Sequence, residues 1–295
     1  MIFGAFASIL AAILWAASFG IYRRFGEDIS SFTLNLLKNS IALFFFFIAI
    51  CVTRPEAPLN SACWIYLALS GFIGIALGDT ALFESLKFLG ARLASILFCL
   101  SPLFTIFIGY GFLGEDLTLF ESLGILITLV SVAGVLYFDR HDENEENPLK
   151  KNFVTKGIVF GLISAVLNGV GVALARKGFS GTDALLGSGI RMAPALIGLL
   201  VISTLQGKTQ KSLTEIINVK HLPLLSVTAF FGGFVGILLA SVGTIYLKAG
   251  LAATLTSSVP VWTFLIDRFF YSKRTRPVAI PFVFTTLIGL YFIFY

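Results

Sequence analysis

The chain carries the same five-segment pattern twice. Leu14-Trp15 aligns with Leu167-Asn168 at an offset of 153 residues, and the same offset pairs Arg23-Arg24 with Arg176-Lys177 and Lys38 with Arg191. Further on, Leu93-Ala94, Pro102 and Thr105 align with Leu251-Ala252, Pro260 and Thr263 at an offset of 158. Each copy holds five long apolar segments. Five is odd, so a tandem second copy must cross a bilayer in the opposite sense to the first. Many secondary transporters are built this way, with a solute site near the midplane between the halves. The pattern predicts an all-α, polytopic membrane protein of ten transmembrane helices, arranged as two inverted five-helix repeats at 1–138 and 157–295 with a linker at 139–156.

Composition narrows the class further. Hydrophobic residues make up 57% of the 295 and charged residues 13%, against about 25% charge in an ordinary soluble chain. The charges collect in gaps between apolar runs at 2–22, 31–52, 62–86, 93–114, 122–138, 157–175, 184–206, 222–247, 249–266 and 278–295. Roughly 17–25 apolar residues in a helix cross the hydrocarbon and satisfy their own backbone there. Barrel strands would alternate polar and apolar residues, and these runs do not. The first run lacks the basic leader and small-residue cleavage site of a signal peptide, so it reads as a span.

Residues 139–156, which include His141-Asp142-Glu143-Asn144-Glu145-Glu146, read as a solvated linker; carboxylates without ordered spacing make no coordination cage. Of the 21 lysines and arginines, Arg54, Arg176, Lys177 and Lys248 fall on the face that carries both termini. Lys38 and Arg191 lie inside spans, and all the others fall on the opposite face. The positive-inside rule therefore predicts a cytoplasmic linker and both termini outside, in a plasma membrane or bacterial inner membrane. The net charge of +5 is this loop charge. It forms no basic stripe with interleaved aromatics, so no nucleic-acid partner is expected.

Charges inside spans are costly and point to function. Lys38 lies seven residues into the second span and Arg191 seven residues into the seventh, each about 10 Å deep and entering from opposite faces. Snorkelling to the headgroups is the competing reading. Asp79 precedes the end of the third span by seven residues, which places it at the depth of Lys38 and predicts a Lys38–Asp79 pair. Aligning Gly74 with Gly236 sets Ser241 opposite Asp79, so the second copy has no matching acid and Arg191 is left to a carbonyl, a distant acid or an anionic cargo group. Asp79 is the first candidate for proton coupling, because burial raises a carboxyl pKa and a nearby cation lowers it; capping of polar backbone is its alternative role. Glu84 is the second candidate, with an i,i+3 pair to Lys87 as its alternative.

Asn39 and Asn168, with Asn35, are polar residues suited either to a solute or to hydrogen bonding between helices. Pro102 and Pro260 each remove a helix hydrogen bond and predict paired kinks, which can serve as hinges or as static bends. Gly74-x-x-x-Gly78 and Gly157-x-x-x-Gly161 are small-residue packing faces. Gly109-Tyr110-Gly111-Phe112-Leu113-Gly114 matches a dinucleotide pattern literally, but it follows no strand. Zinc-protease, hydrolase-elbow and Walker motifs are missing, so no catalytic constellation, metal or cofactor is expected. Cys51 and Cys63 flank a short loop, but three cysteines give no disulfide framework.

Several of these residues carry a resemblance. Leu14-Trp15-Ala16-Ala17-Ser18, Gly74-Ile75-Ala76-Leu77-Gly78, Ala81-Leu82-Phe83-Glu84-Ser85-Leu86-Lys87 and Leu100-Ser101-Pro102-Leu103-Phe104, with Leu113-Gly114-Glu115, resemble the EamA family of the drug/metabolite transporter superfamily. The resemblance covers nearly the whole chain, more weakly in its second copy, where Phe269-Phe270-Tyr271-Ser272 stands in place of the Gly-Glu turn. It implies a ten-helix basket, monomeric or homodimeric in the bilayer, moving an amino acid, nucleoside, sugar derivative or drug-like solute by alternating access. It also implies cavity-facing positions for Trp15 and Trp262, where packing is the competing role. Some relatives keep both termini in the cytoplasm, opposite to the charge count. A flippase of a lipid or lipid-linked phosphate or sugar fits the same fold. An enzyme does not, because the buried acids and nucleophiles form no recognisable constellation.

Overall fold

The computed structural model describes residues 1–25, 29–55, 60–138, 151–269, 278 and 280–292. Most of the expected linker, with His141, and the Phe270-Tyr271-Ser272 stretch lie outside the described residues. The described chain is helical throughout. Helix α1 is Ile2–Phe25 and α2 is Ser31–Thr53. Helix α3, Ser61–Ser70, passes through a π-helical stretch, Gly71–Gly78, into α4, Asp79–Phe98. Helix α5, Ser101–Ile108, ends in a second π-helical turn at Gly109–Leu113, and α6 is Leu119–Phe138. There follow α7 (Lys151–Gly178), α8 (Ala184–Leu205), a short α9 (Thr209–Asn218), α10 (Leu222–Thr228), a third π-helical stretch (Ala229–Val235), α11 (Gly236–Tyr246), α12 (Ala249–Thr256), α13 (Val259–Phe269) and α14 (Ile280–Phe292). Seven stretches are long and apolar enough to cross a membrane, and 101–113, 119–134 and 280–292 form shorter apolar helices.

Some boundaries depart from the sequence reading. The gap expected at 87–92 is helical. The chain still reverses there: a Cβ on Gly161 would meet both Ser85 and Leu97. Twelve residues of straight helix would hold those two side chains about 18 Å apart, so the turn falls between them. Residues 151–156, expected in the linker, are the first turns of α7. Pro102 and Pro260 do not kink continuous helices. The helices stop at Cys99–Leu100 and at Ser257–Ser258, and each proline is the second residue of the next helix. There its missing N–H would have had no intrahelical partner in any case.

The two halves interlock. Helix α1 packs on α11, α12 and α13, while α7 packs on α3, the first π-helical stretch, α4 and α5. Helices α2 and α8 pack on each other, and each also packs on the π-helical stretch of the opposite half. The glycine faces make these approaches possible. Gly74 lies against the Gly171 backbone, and a Cβ on Gly71 would come within 1.8 Å of the Arg191 carbonyl oxygen. Large apolar side chains, among them Phe3, Phe6, Phe44, Phe47, Phe107 and Phe284, are exposed around the outside, as lipid contact requires.

Contacts also sort the loops onto two faces. On one, Arg176 Nε meets Glu115 at 3.0 Å, Lys248 Nζ meets Glu121 at 2.7 Å, and the Ala249 N–H donates to Glu115 at 2.7 Å. Glu121 also closes a reciprocal cap with Thr118 at the start of α6. Lys177 lies over the rings of Phe112 and Tyr66 on the same face. On the other face, α9 is tied to the N-terminus of α2: Glu215 accepts from the Ser30 N–H at 3.0 Å and from its hydroxyl at 2.9 Å. Burial pushes the Glu215 carboxyl up. Hydrogen bonds from Thr33 and Ser30 and the charge of Lys211 outweigh that and hold it below the ordinary 4.5.

Two outcomes are expected. Gly71→Ala should lower the melting temperature of the protein in nanodiscs, with a cost of about 1–3 kcal/mol for overpacking, while Gly20→Ala, inside α1 with a Cβ that meets nothing within 4 Å, should raise it modestly. The Glu215 contribution is present above pH 4.5 and is lost as pH falls through the lowered carboxyl value. The protection factors of the α9 amides, the intrinsic exchange rate divided by the observed rate at the same pH, should therefore fall on acidification in the wild type, and Glu215→Gln should show the lowered protection already at neutral pH.

Candidate functional site

Equivalent caps start the two cation-bearing helices. Ser30, extended at φ −68 and ψ 151, accepts from the Thr33 N–H and begins α2. Asp183, 153 residues later and also extended, accepts from the Leu185 and Leu186 N–H groups and begins α8. Each cap sets its helix start and hence the depth of a cation seven residues on, Lys38 and Arg191. Both are buried, at 8% and 9% exposure, so neither reaches for the headgroups.

Their partners differ. Lys38 Nζ donates to Asp79 in an ion pair and lies 5.5 Å from the centre of the Phe83 ring. Asp79 is delivered by the π-helical stretch, whose loosened carbonyls at Ile75 and Ala76 accept from Asn35 Nδ2. Arg191 has no carboxylate within ion-pair distance among the described residues. One terminal nitrogen donates to Ser241 Oγ at 3.4 Å, its Nε has no acceptor, and the guanidinium sits 5.9 Å from the Phe179 ring. Ser241 Oγ is already engaged with Ser188 Oγ at 2.8 Å.

The remaining sequence candidates sit around this core. Asn39 donates to Asn35 Oδ1 and leaves its own Oδ1 buried without a partner. Asn168 donates to the Ser164 carbonyl and packs on Gly78. Trp15 and Trp262 meet in one apolar cluster with Ala12, Ala16 and Val259. Their indole N–H groups are spent on the Gly232 carbonyl at 2.9 Å and on Ser258 Oγ at 3.0 Å. Glu84 is half-buried and forms no ion pair with Lys87. The helix breaks at Pro102 and Pro260 meet: the Cys99 thiol points at the Ser257 carbonyl at 3.8 Å. Beside them, Phe19, Leu82, Leu86, Phe98 and Val259 enclose a cavity of only 10 Å³. A larger groove of 510 Å³, wholly apolar, opens sideways between Phe47, Trp64 and Pro194. The cysteines are free, and Cys63 lies against the Ser180 carbonyl.

Sequence reasoning did not find the ion-pair cluster of Glu115, Glu121, Arg176 and Lys248, although Thr118-x-x-Glu121 is a legible capping pattern. It also did not find Phe179 and Ser188 beside Arg191.

Charged residues buried between the helices of a multi-pass membrane protein mark a functional site. Residues 2–137 and 155–295 match the EamA-like transporter family, and the chain belongs to that family. An uncharacterized transporter of Archaeoglobus fulgidus is 25% identical over 125 residues, which is 42% of this chain and 45% of that protein, so the chain spans less than half of that curated relative. A crystal structure superposes with a TM-score of 0.73 at 16% identity, covering 98% of this chain and 94% of the other, and shows a shared fold.

The Lys38–Asp79 pair yields a direct test of burial. Lys38→Ala should destabilise the protein by about 1–3 kcal/mol, the cost of leaving the half-buried Asp79 unpaired. Lys38→Ala with Asp79→Ala should recover most of that loss, as read by melting in nanodiscs.

Proposed function

We propose that this protein is a secondary transporter that moves a small organic metabolite by alternating access between two inverted five-helix repeats, residues 1–138 and 157–295. The amino-acid, nucleoside, sugar-derivative and drug-like classes are its candidate cargoes. The observation that carries the reading is the contact between equivalent helix breaks. Cys99 and Ser257 are 158 residues apart, the repeat offset of this region, and they touch. Exchange of α1 and α7 between the halves supports the same symmetry. In this reading the close packing around Pro102 and Pro260 is an occluded form, and the two breaks let each half rock about the centre. The ion pairs of Glu115 and Glu121 close one face, and α9 lies at the other. The linker face is cytoplasmic and the termini are outside. Asp79 is the coupling carboxyl, with Glu84 second, and protons are the coupling ion.

Counterflow in proteoliposomes tests the proposal. Vesicles preloaded with amino acids, nucleosides or sugar derivatives should accumulate the labelled solute of at least one class, and Asp79→Asn should keep exchange while losing pH-driven uptake. A dithionite assay with fluorescent lipids covers the flippase alternative. Absence of solute counterflow, with or without lipid scrambling, contradicts the transporter reading. Unchanged pH dependence in Asp79→Asn removes Asp79 from coupling.

A further inference from the structure

We infer that the transported solute carries a negatively charged oxyanion, a carboxylate or phosphate, that Arg191 reads it, and that Ser241 sets this preference by leaving Arg191 without an internal counter-ion. The inference rests on the transport reading and deepens it. The repeat supplies an internal control. Lys38 and Arg191 are equivalent, the caps Ser30 and Asp183 that position them are equivalent, and Asp79 and Ser241 are equivalent. In the structure each cation reaches the residue that the equivalence assigns to it: Lys38 reaches Asp79, and Arg191 reaches Ser241. The two sites pair equivalent positions and differ in charge.

That difference leaves the second site incomplete. A guanidinium presents five N–H donors in a rigid fork. Here one long bond of 3.4 Å goes to a hydroxyl already engaged with Ser188, and Nε is buried with no acceptor. An ion taken out of water without a partner costs several kcal/mol. Asp79 lies close enough to act electrostatically on Arg191, but its carboxylate is held by Lys38. Lys38, Asp79 and Arg191 together keep one positive charge in the interior. A solute bearing one negative charge makes that set neutral, and a planar carboxylate or a phosphate matches the unpartnered donors of the fork. The Phe179 ring lies beside the guanidinium and offers an apolar flank for the rest of the solute. An aspartate at 241 would reproduce the first-half pair and take the place of that anion.

The test measures binding without flux, so its failure leaves the transport reading standing, and failure of counterflow leaves this result standing. Full-length protein in phosphatidylcholine nanodiscs is melted with benzoate or inorganic phosphate, each replacing equimolar sodium chloride, and with benzamide or glycerol as neutral counterparts. At least one oxyanion should raise the wild-type melting temperature beyond its neutral counterpart, as selective binding to the folded state requires. Ser241→Ala should keep that shift. Arg191→Gln and Ser241→Asp should lose it, and Ser241→Asp should by itself melt higher than wild type, which shows that it folds and that Arg191 was uncompensated. A parallel series adds phosphatidylglycerol, to separate a lipid headgroup from a free solute. Equal shifts with charged and neutral probes, an undiminished oxyanion shift in Ser241→Asp, or stabilisation by phosphatidylglycerol alone would each overturn the inference.

Discussion

Lipid supplies no hydrogen bonds, yet this chain loosens its helices at three π-helical stretches and breaks two others outright. Each loosened carbonyl needs a donor from inside the protein. Several of the donors come from the opposite half. Ser164 on α7 binds the Gly78 carbonyl, and Trp15 on α1 binds the Gly232 carbonyl. Ser70 returns a bond to Gly171, and Ser85 one to Gly157. The exchange of partners between halves follows from this constraint. A half lifted away from the other would leave its own backbone unsatisfied in hydrocarbon. The glycines at 71, 74 and 171 belong to the same arrangement, because the donors reach those carbonyls only if the backbones come within contact distance.

Charge is arranged on that frame with less symmetry than the backbone. The face that carries Glu115 and Glu121 ties up Arg176 and Lys248, two of its four expected basic residues, in ion pairs, and Lys177 rests on aromatic rings. Inside, Lys38 is neutralised within its own half and Arg191 is not. The same scaffold thus holds a closed pair and an open cation at matching depths. The carboxylate of Asp79 against the hydroxyl of Ser241 separates them in charge.

Much of this was legible in the sequence because helix starts can be read from apolar runs and positions along a helix from its rise. Helices α2 and α8 begin at Ser31 and Ala184, the residues that the apolar runs mark, and the depths of Lys38 and Arg191 followed from counting. The Lys38–Asp79 contact followed from antiparallel spans of known rise. Other features left no such mark. The glycines of the first and third π-helical stretches lie against neighbouring helices, an approach that periodicity within one segment does not encode. Helix α9 averages to neutral hydropathy over its ten residues and was hidden in a gap. Pro102 and Pro260 were visible, but their effect depends on where the helix has already ended. A proline in a first turn removes nothing, and the break belongs to the residues before it. The asparagines were ambiguous for a related reason: Asn35 is recognisable as helix-to-helix glue only once the loosened carbonyls of Ile75 and Ala76 are in place.

The central claim is that the two halves meet back to back at their equivalent helix breaks in the middle of the protein. Cross-linking measures this directly. In one protein, with Cys51 and Cys63 replaced by serine, Ser257→Cys gives the native Cys99 a single possible partner; in a second, with Cys51 and Cys99 replaced by serine, Ser180→Cys gives the native Cys63 its partner and serves as the control pair. The account predicts an intramolecular Cys99–257 disulfide under a membrane-permeant oxidant, at a yield comparable to the control. A control that cross-links while Cys99 and position 257 remain free thiols would contradict it.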